Sequence, residues 1–444
     1  MRIIYNALFL IFFALSSPYY FLRMWRRGNW LDGFRQRFGH YDGKLKQAIT
    51  NRQVIWLHAV SVGEVNICTQ LIRALEPRAP NLKIIVSTTT TTGMGELKRK
   101  LPSHIAKIYY PVDRKKCVQR ALSTLRPEAI VLVEAEIWPN FLWQAADRNI
   151  PVFLVNARLS DRSYRGYKRF GVLFRGLFAS FAGVGVQSAE DAVRLRDLGC
   201  GPDTVHIMGN MKFDSAKLNE RRLLDVPAML RQLGVSESAR LLVCGSTHSG
   251  EEEILAQCFK RLKQNFPDLF LVLVPRHFER GREVGRVLEK CGISFAYRSE
   301  VAPSYKPASE SIDCLLVNST GELKYFYERA SVIFVGKSLT AQGGQNPIEP
   351  GALGKAMVFG PNMQNFAAIA RAFVKNNAAV QVQKPGELEQ ALSTLLANEK
   401  RCQELGQNAL KVVTENQGAV ERTVEMIIGN LPNEEVYVAK ARKK

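Results

Sequence analysis

Short, continuous apolar runs alternating with longer amphipathic ones constrain this sequence more than any other feature. VIWLHAV (Val54–Val60), KIIVSTTT (Lys83–Thr90), AKIYYPV (Ala106–Val112), EAIVLVEAE (Glu128–Glu136) and IPVFLVNA (Ile150–Ala157) are largely apolar at successive positions. Helical patterns such as EVNICTQLIRAL (Glu64–Leu75) and GMGELKRKL (Gly93–Leu101) separate them. A strand that is apolar on both sides must be covered on both sides, so the pattern predicts a parallel sheet with helices on either face. A looser stretch, Gly209 to about Leu233, interrupts the rhythm. It restarts with RLLVCGSTH (Arg240–His248), LFLVLVPRH (Leu269–His277), ISFAY, DCLLVN (Asp313–Asn318), SVIFVGK (Ser331–Lys337) and AMVFGP (Ala356–Pro361), and Glu387 to Ile428 reads as mostly helical. The expected fold class is therefore α/β, with two doubly wound, Rossmann-like domains over residues 28–215 and 216–430. Residues 1–27 and a basic tail, 431–444, lie outside both. Ligands of such sheets bind beyond the carboxyl ends of the strands, and a cleft between two such domains is the expected site.

The N-terminus departs from this soluble pattern. Ile3–Leu22 holds no formally charged residue, and Arg23, Arg26 and Arg27 follow it, with Trp25 and Trp30 nearby. Twenty apolar residues can cross a bilayer, and positive charge after the span puts the remaining chain in the cytoplasm. The expectation is a single N-terminal anchor. Asn6, Ser16, Ser17 and Pro18 weaken it. A surface-lying helix and a signal peptide cleaved near Ala14–Ser17 are the alternatives.

The formal net charge of +20 favours an anionic partner: nucleic acid, an acidic membrane or a phosphorylated substrate. Zinc-finger spacing and aromatic RNP-like strands are missing, so no nucleic-acid partner is expected. The eight cysteines form no C-x-x-C and read as reduced thiols, and the six histidines form no H-x-x-x-H, so no metal site is expected. GKS (Gly336–Ser338) fails as a P-loop because Ser331 stands where its first glycine belongs, and GMG (Gly93–Gly95) lacks the third glycine of a dinucleotide fingerprint.

Nearly every strand ends in polar residues: HAVSVGE (His58–Glu64), EAEIWPN (Glu134–Asn140), NARLSDRSY (Asn156–Tyr164), GSTHSGEEE (Gly245–Glu253), PRH (Pro275–His277) and, after Lys337, GGQNPIEP (Gly343–Pro350). Helix capping alone accounts for any one of these. Repeated glycines at helix starts and basic Lys212, Arg276 and Lys337 go beyond capping, because backbone N–H groups and cations together suit an anion. Glu64 follows Gly63 at a strand-to-helix turn, where the helix N-terminus is expected to keep it ionised and suited to act as a general base. Glu134 and Glu136, two apart on a strand, are expected to share a face. A buried supporting role is their alternative.

In this order and spacing, these motifs with GNMKFD (Gly209–Asp214) resemble the 3-deoxy-D-manno-octulosonic acid (Kdo) transferases of lipid A assembly, over about residues 30–425. The resemblance implies a GT-B fold and an inverting transfer from CMP-Kdo to a lipid A precursor, a tetraacyldisaccharide 4'-phosphate. It implies no catalytic metal and no cofactor, and places the work at the cytoplasmic face of the inner membrane, beside anionic lipids. It implies that Glu64 is the base and that Glu134 or Glu136 is a second essential acid. Lys212, Gly245, Ser246, Thr247, Arg276, Gly343, Gly344, Asn346 and Glu349 would bind the donor. Gln345 departs from the histidine expected in many relatives, which puts one donor contact in question. A GT-B enzyme using a UDP-sugar and a non-catalytic membrane-bound module are the competing readings.

Overall fold

The computed structural model describes residues 1–26, 31–134, 136–216, 224–301 and 312–431. Arg27, Trp30, Ala135, the junction residues 217–223 and residues 432–444 of the basic tail lie outside them. The chain forms two compact units.

A long helix, α1 (Arg2–Arg26), precedes the first unit's sheet. Among the described residues that sheet has seven parallel strands: β1 (Gln53–His58), β2 (Leu82–Thr88), β3 (Ala106–Tyr109), β4 (Pro127–Val133), β5 (Val152–Ala157), β6 (Gly183–Val186) and β7 (Val205–Ile207). Their spatial order is β3-β2-β1-β4-β5-β6-β7. Alternate residues supply two cores, one per face. Ile55, Leu57, Val131 and Val155 join one, and Trp56, Ile130, Leu132 and Leu154 join the other. Helices α2 (Val62–Leu75), α3 (Pro139–Ala146), α4 (Asp161–Arg169) and α5 (Gly171–Phe178) follow β1, β4 and β5.

The second unit also carries a seven-stranded parallel sheet, β8 (Leu241–Thr247), β9 (Phe270–Pro275), β10 (Phe295–Tyr297), β11 (Cys314–Leu316), β12 (Val332–Val335), β13 (Met357–Phe359) and β14 (Val380–Gln381). Its order is β10-β11-β9-β8-β12-β13-β14. Helix α6 (Glu251–Asn265) follows β8. In each sheet the order reverses next to the first strand, between β1 and β4 and between β8 and β12. Such switch points open a crevice at the strands' carboxyl ends. The two-domain α/β class is thus observed, each domain carrying its own switch point.

The expected end of the second domain at 430 is corrected. The second unit ends at Asn416, and helix α7 (Ala419–Ile428) returns to the first. Its Val420, Val424 and Ile427 join the same core as Ile55 and Val65. Gly418, at φ 82°, allows the turn. The Asp214 carboxylate accepts hydrogen bonds from the N–H groups of Gly418 (2.6 Å) and Val420 (2.7 Å). In β6, a side chain at Gly183 would crowd Phe153 (3.1 Å) and Met426 of α7 (3.2 Å), and one at Gly185 would crowd Met208 (3.0 Å).

Candidate active site

The first domain's site grows from the β1–β4 switch point. Ser61 caps α2, its hydroxyl accepting from the Glu64 N–H at 3.2 Å. The Glu64 carboxylate folds back to accept from the Val60 N–H at 2.8 Å. This is a reciprocal cap displaced by one residue from the usual box. Only 8% of Glu64 is exposed. Burial is the largest influence on its carboxyl and raises its pKa; the bonds from Val60 and Ser61 oppose this, and the charges of Glu134 and Glu136 add to it. Desolvation thus outweighs the helix start and the hydrogen bonds, and the Glu64 pKa lies above its ordinary value. A carboxylate with a raised pKa is the stronger proton acceptor.

Glu134 and Glu136 do not share a strand face. β4 ends at Val133, and Glu134 takes a left-handed conformation at φ 65°. That region is unusual for a side-chain-bearing residue and recurs at functional sites. The Glu134 N–H still donates to the Val155 carbonyl at 2.9 Å, so the turn comes at the end of the ladder. Glu136 accepts from the Trp138 indole N–H at 2.7 Å. Burial raises its pKa, the Trp138 bond opposes, and Glu134 adds to the rise.

Lys212 belongs to this acidic group. Burial depresses its pKa most, Glu134 and Glu64 counter that, and Arg158 lowers it further. Two carboxylates and two cations thus act on one another at this rim. A relay of side-chain amides positions the Lys212 turn. Buried Asn156, at φ 52°, accepts through Oδ1 from the Met211 N–H at 3.1 Å. Its carbonyl accepts from Gln187 Nε2 at 2.9 Å. Gln187 Oε1 accepts from Asn210 Nδ2 at 2.9 Å, and Asn210 Oδ1 accepts from the Lys212 N–H at 3.0 Å. Asn156, Arg158 and Asn210 lie in motifs the sequence marked without giving them a role, and Gln187 was missed. The available signal was an amide at or just beyond the end of β5, β6 and β7.

His58, at the end of β1, supports the site from below. It is fully buried, and burial lowers its pKa to about 3, so the ring is neutral. Nδ1 lies 2.8 Å from Ser87 Oγ, and the ring stacks on Tyr110 with centroids 3.9 Å apart.

On the second domain, Gly245, Ser246 and Thr247 end β8. A side chain at Gly245 would sit 1.9 Å from the Tyr327 hydroxyl oxygen. Ser246 has φ 57° and Lys337, after β12, has φ 56°. The expected open amides are partly occupied from within. Buried Glu251 accepts from the N–H groups of His248 (2.9 Å), Lys337 (2.7 Å), Ser338 (2.8 Å) and Leu339 (2.9 Å). The Thr247 hydroxyl is buried and donates to Glu252 at 2.9 Å, which also pairs with Arg280 at 2.7 Å. Thr247 therefore braces the rim, and its hydroxyl already has a partner.

Gly343 and Gly344 take φ 126° and 70°. The Gly343 N–H donates to Gln364 Oε1 at 2.7 Å, and the Gly344 N–H to the Lys337 carbonyl at 2.9 Å. Asn346 Nδ2 donates to Glu349 at 3.1 Å, while its Oδ1 accepts from the Ile348 N–H at 3.1 Å. Burial raises the Glu349 pKa, and the Asn346 bond with the charges of Arg276 and Lys324 pulls it back. Arg276 itself is exposed. So Glu349, Asn346 and Arg276 belong to one electrostatic group, with Lys324 as a member that sequence reasoning missed.

Comparison with known proteins bears on the family. The family profile described as 3-Deoxy-D-manno-octulosonic-acid transferase (kdotransferase) matches residues 32–215. A 3-deoxy-D-manno-octulosonic acid transferase of Haemophilus influenzae is 31% identical over 427 residues, 96% of this chain and 98% of the relative. Among solved structures, UDP-GlcNAc 2-epimerase from Neisseria meningitidis superposes with a TM-score of 0.57 at 14% identity, covering 85% of this chain and 100% of that one. Acinetobacter baumannii MurG gives 0.53 at 15%, covering 85% and 99%. At those identities the structural likeness speaks for the GT-B fold alone. The sequence relationship goes further: the chain belongs to the 3-deoxy-D-manno-octulosonic acid transferase family of glycosyltransferases.

Proposed function

We propose that this enzyme transfers Kdo from CMP-Kdo to a lipid A precursor, tetraacyldisaccharide 4'-phosphate, with inversion and without a catalytic metal, at the cytoplasmic face of the inner membrane. The observation that carries the reading is Glu64: a buried carboxylate of raised pKa, hydrogen-bonded in place beside Glu134 and Lys212 at the β1–β4 switch point. Glu64 takes the proton of the acceptor hydroxyl as its oxygen attacks the anomeric carbon of Kdo. The bond from that carbon to the CMP phosphate oxygen breaks, and CMP leaves with the electron pair. The sugar centre passes through an oxocarbenium-like state. Lys212 and Arg276 offset charge on the donor's carboxylate and phosphate, the work that preorganised cations do without reorganising. Gly245, Ser246, Gly343 and Gly344 shape the donor rim, with Asn346 and Glu349 orienting its polar edge.

The test is mass spectrometry of the lipid product formed from CMP-Kdo and the precursor, with thermal shift by CMP and UDP alongside. Kdo addition with stabilisation by CMP supports the reading. Stabilisation by UDP alone, with no Kdo product, moves the enzyme to UDP-sugar chemistry.

A further inference from the structure

The first two turns of α1 are fastened to the first domain. The Arg2 guanidinium bonds both oxygens of Asp147, at 2.8 and 2.9 Å, and lies 5.5 Å from the centre of the Trp143 ring. The Tyr5 hydroxyl donates to Asp113 at 2.8 Å, and its ring meets Trp143 edge-on at 5.6 Å. Asn6 and Asn140 exchange amide hydrogen bonds of 3.2 and 3.0 Å. Asp113 is buried and also accepts from the N–H groups of Asn140 (3.0 Å) and Phe141 (2.8 Å) at the start of α3. Tyr5, Phe9 and Phe13 stack in series along one half-buried face. The opposite face, Ile4, Leu8, Ile11, Leu15, Tyr19 and Leu22, is exposed along the whole helix.

A 25-residue helix is about 37 Å long. If α1 crossed the bilayer, Arg2 would emerge some 30 Å away from Arg26, on the side opposite the catalytic domains. Arg2, Tyr5 and Asn6 could then not touch Asp147, Asp113 and Asn140. The second observation is at α4–α5. Phe170 and Val172 are exposed at the corner between these helices; the Arg169 guanidinium lies 5.9 Å from the Phe170 ring centre, and Arg162 and Arg165 are exposed on α4. α5 packs on α3, the helix to which α1 is fastened. Exposed apolar side chains flanked by a helix carrying exposed arginines match an anionic lipid surface.

We propose that α1, held lengthwise by Arg2, Tyr5 and Asn6, lies in one leaflet rather than spanning, and that the Phe170–Val172 corner with its arginines is a second contact with anionic lipid. The proposal deepens the membrane part of the function above and rests on it. Its test uses the full chain with a short protease-sensitive tag before Met1, in inner membranes of a Gram-negative host. In inverted vesicles, whose cytoplasmic face points outward, protease is expected to remove the tag without detergent. Cleavage only from the periplasmic side of spheroplasts overturns the in-plane helix. Separately, a Phe170→Asp/Val172→Asp double variant is expected to float at least about tenfold less with phosphatidylglycerol vesicles. Its Kdo transfer to detergent-dispersed acceptor stays within about twofold, which separates this proposal from the catalytic one. Unchanged flotation, or a lipid-free dimer that does not float at all, overturns the second contact.

Discussion

In the proposed mechanism Glu64 connects the helix start to the chemistry. Val60 and Ser61 hold it, burial raises its pKa, and Glu134 with Lys212 provides its electrostatic surroundings. Replacing Glu64 by Gln is expected to lower kcat by roughly 10²–10⁴-fold, the span of a lost general base, while CMP still raises the melting temperature. A base acts deprotonated, so kcat/KM falls as pH drops through its pKa, and the raised pKa puts that fall above the ordinary carboxylate range. A pH–rate profile reads this. Glu136 already accepts from Trp138, whereas Glu134 sits in the strained conformation beside Lys212. Glu134→Gln is thus expected to cost more kcat than Glu136→Gln. Asp113 offers a separate check. Burial pushes its pKa from 3.8 to about 7, so the folded state resists its ionisation. The native chain therefore loses stability as pH rises from about 4 to 7, the window between the unfolded and folded values. Asp113→Asn removes that slope, so its melting temperature should gain on the parent's across this window. Parallel profiles would show Asp113 ionised in the fold.

At the scale of elements, α7 matters most. It returns the chain to the first domain and closes a core face that α2 leaves unfinished. Ile427→Ala should therefore destabilise the first domain by about 2–5 kcal/mol, the cost of emptying a buried isoleucine site. Calorimetry of the full chain reads this as a downshift of the first domain's transition with the second's unmoved. The long apolar strands were legible because each carries its own signal: β5, β8 and β9 fall within the runs read from sequence, and β1, β2 and β4 begin one residue before theirs. β6 and β7 were not, because Gly183–Val186 is half glycine and Val205–Ile207 has only three residues. The glycines of β6 make room for Phe153 and Met208 and for Met426, the last more than two hundred positions away. The same distance hid the domain boundary. Site residues at strand ends could be named from motifs, but their pairing could not. The partners taken by Glu251 and Thr247, and the left-handed turn at Glu134, depend on contacts between elements far apart in the chain.

For the whole molecule, the +20 charge and the apolar helix fit the proposed role, in which an anionic donor meets an anionic lipid. Raising salt from about 0.05 to 0.5 M should weaken association with phosphatidylglycerol vesicles, since the Debye length shrinks severalfold, while leaving Kdo transfer to detergent-dispersed acceptor much less affected. Sedimentation with vesicles and turnover in micelles measure the two effects separately. The most direct test of the central claim compares the lipid product made from CMP-Kdo by the native chain and by the Glu64→Gln variant, using mass spectrometry. The expected result is a lipid A precursor enlarged by Kdo with the native chain, and at least roughly a hundredfold less of it with the variant at equal CMP binding. A variant that makes the product at a near-native rate, or a native chain that makes none, would contradict it.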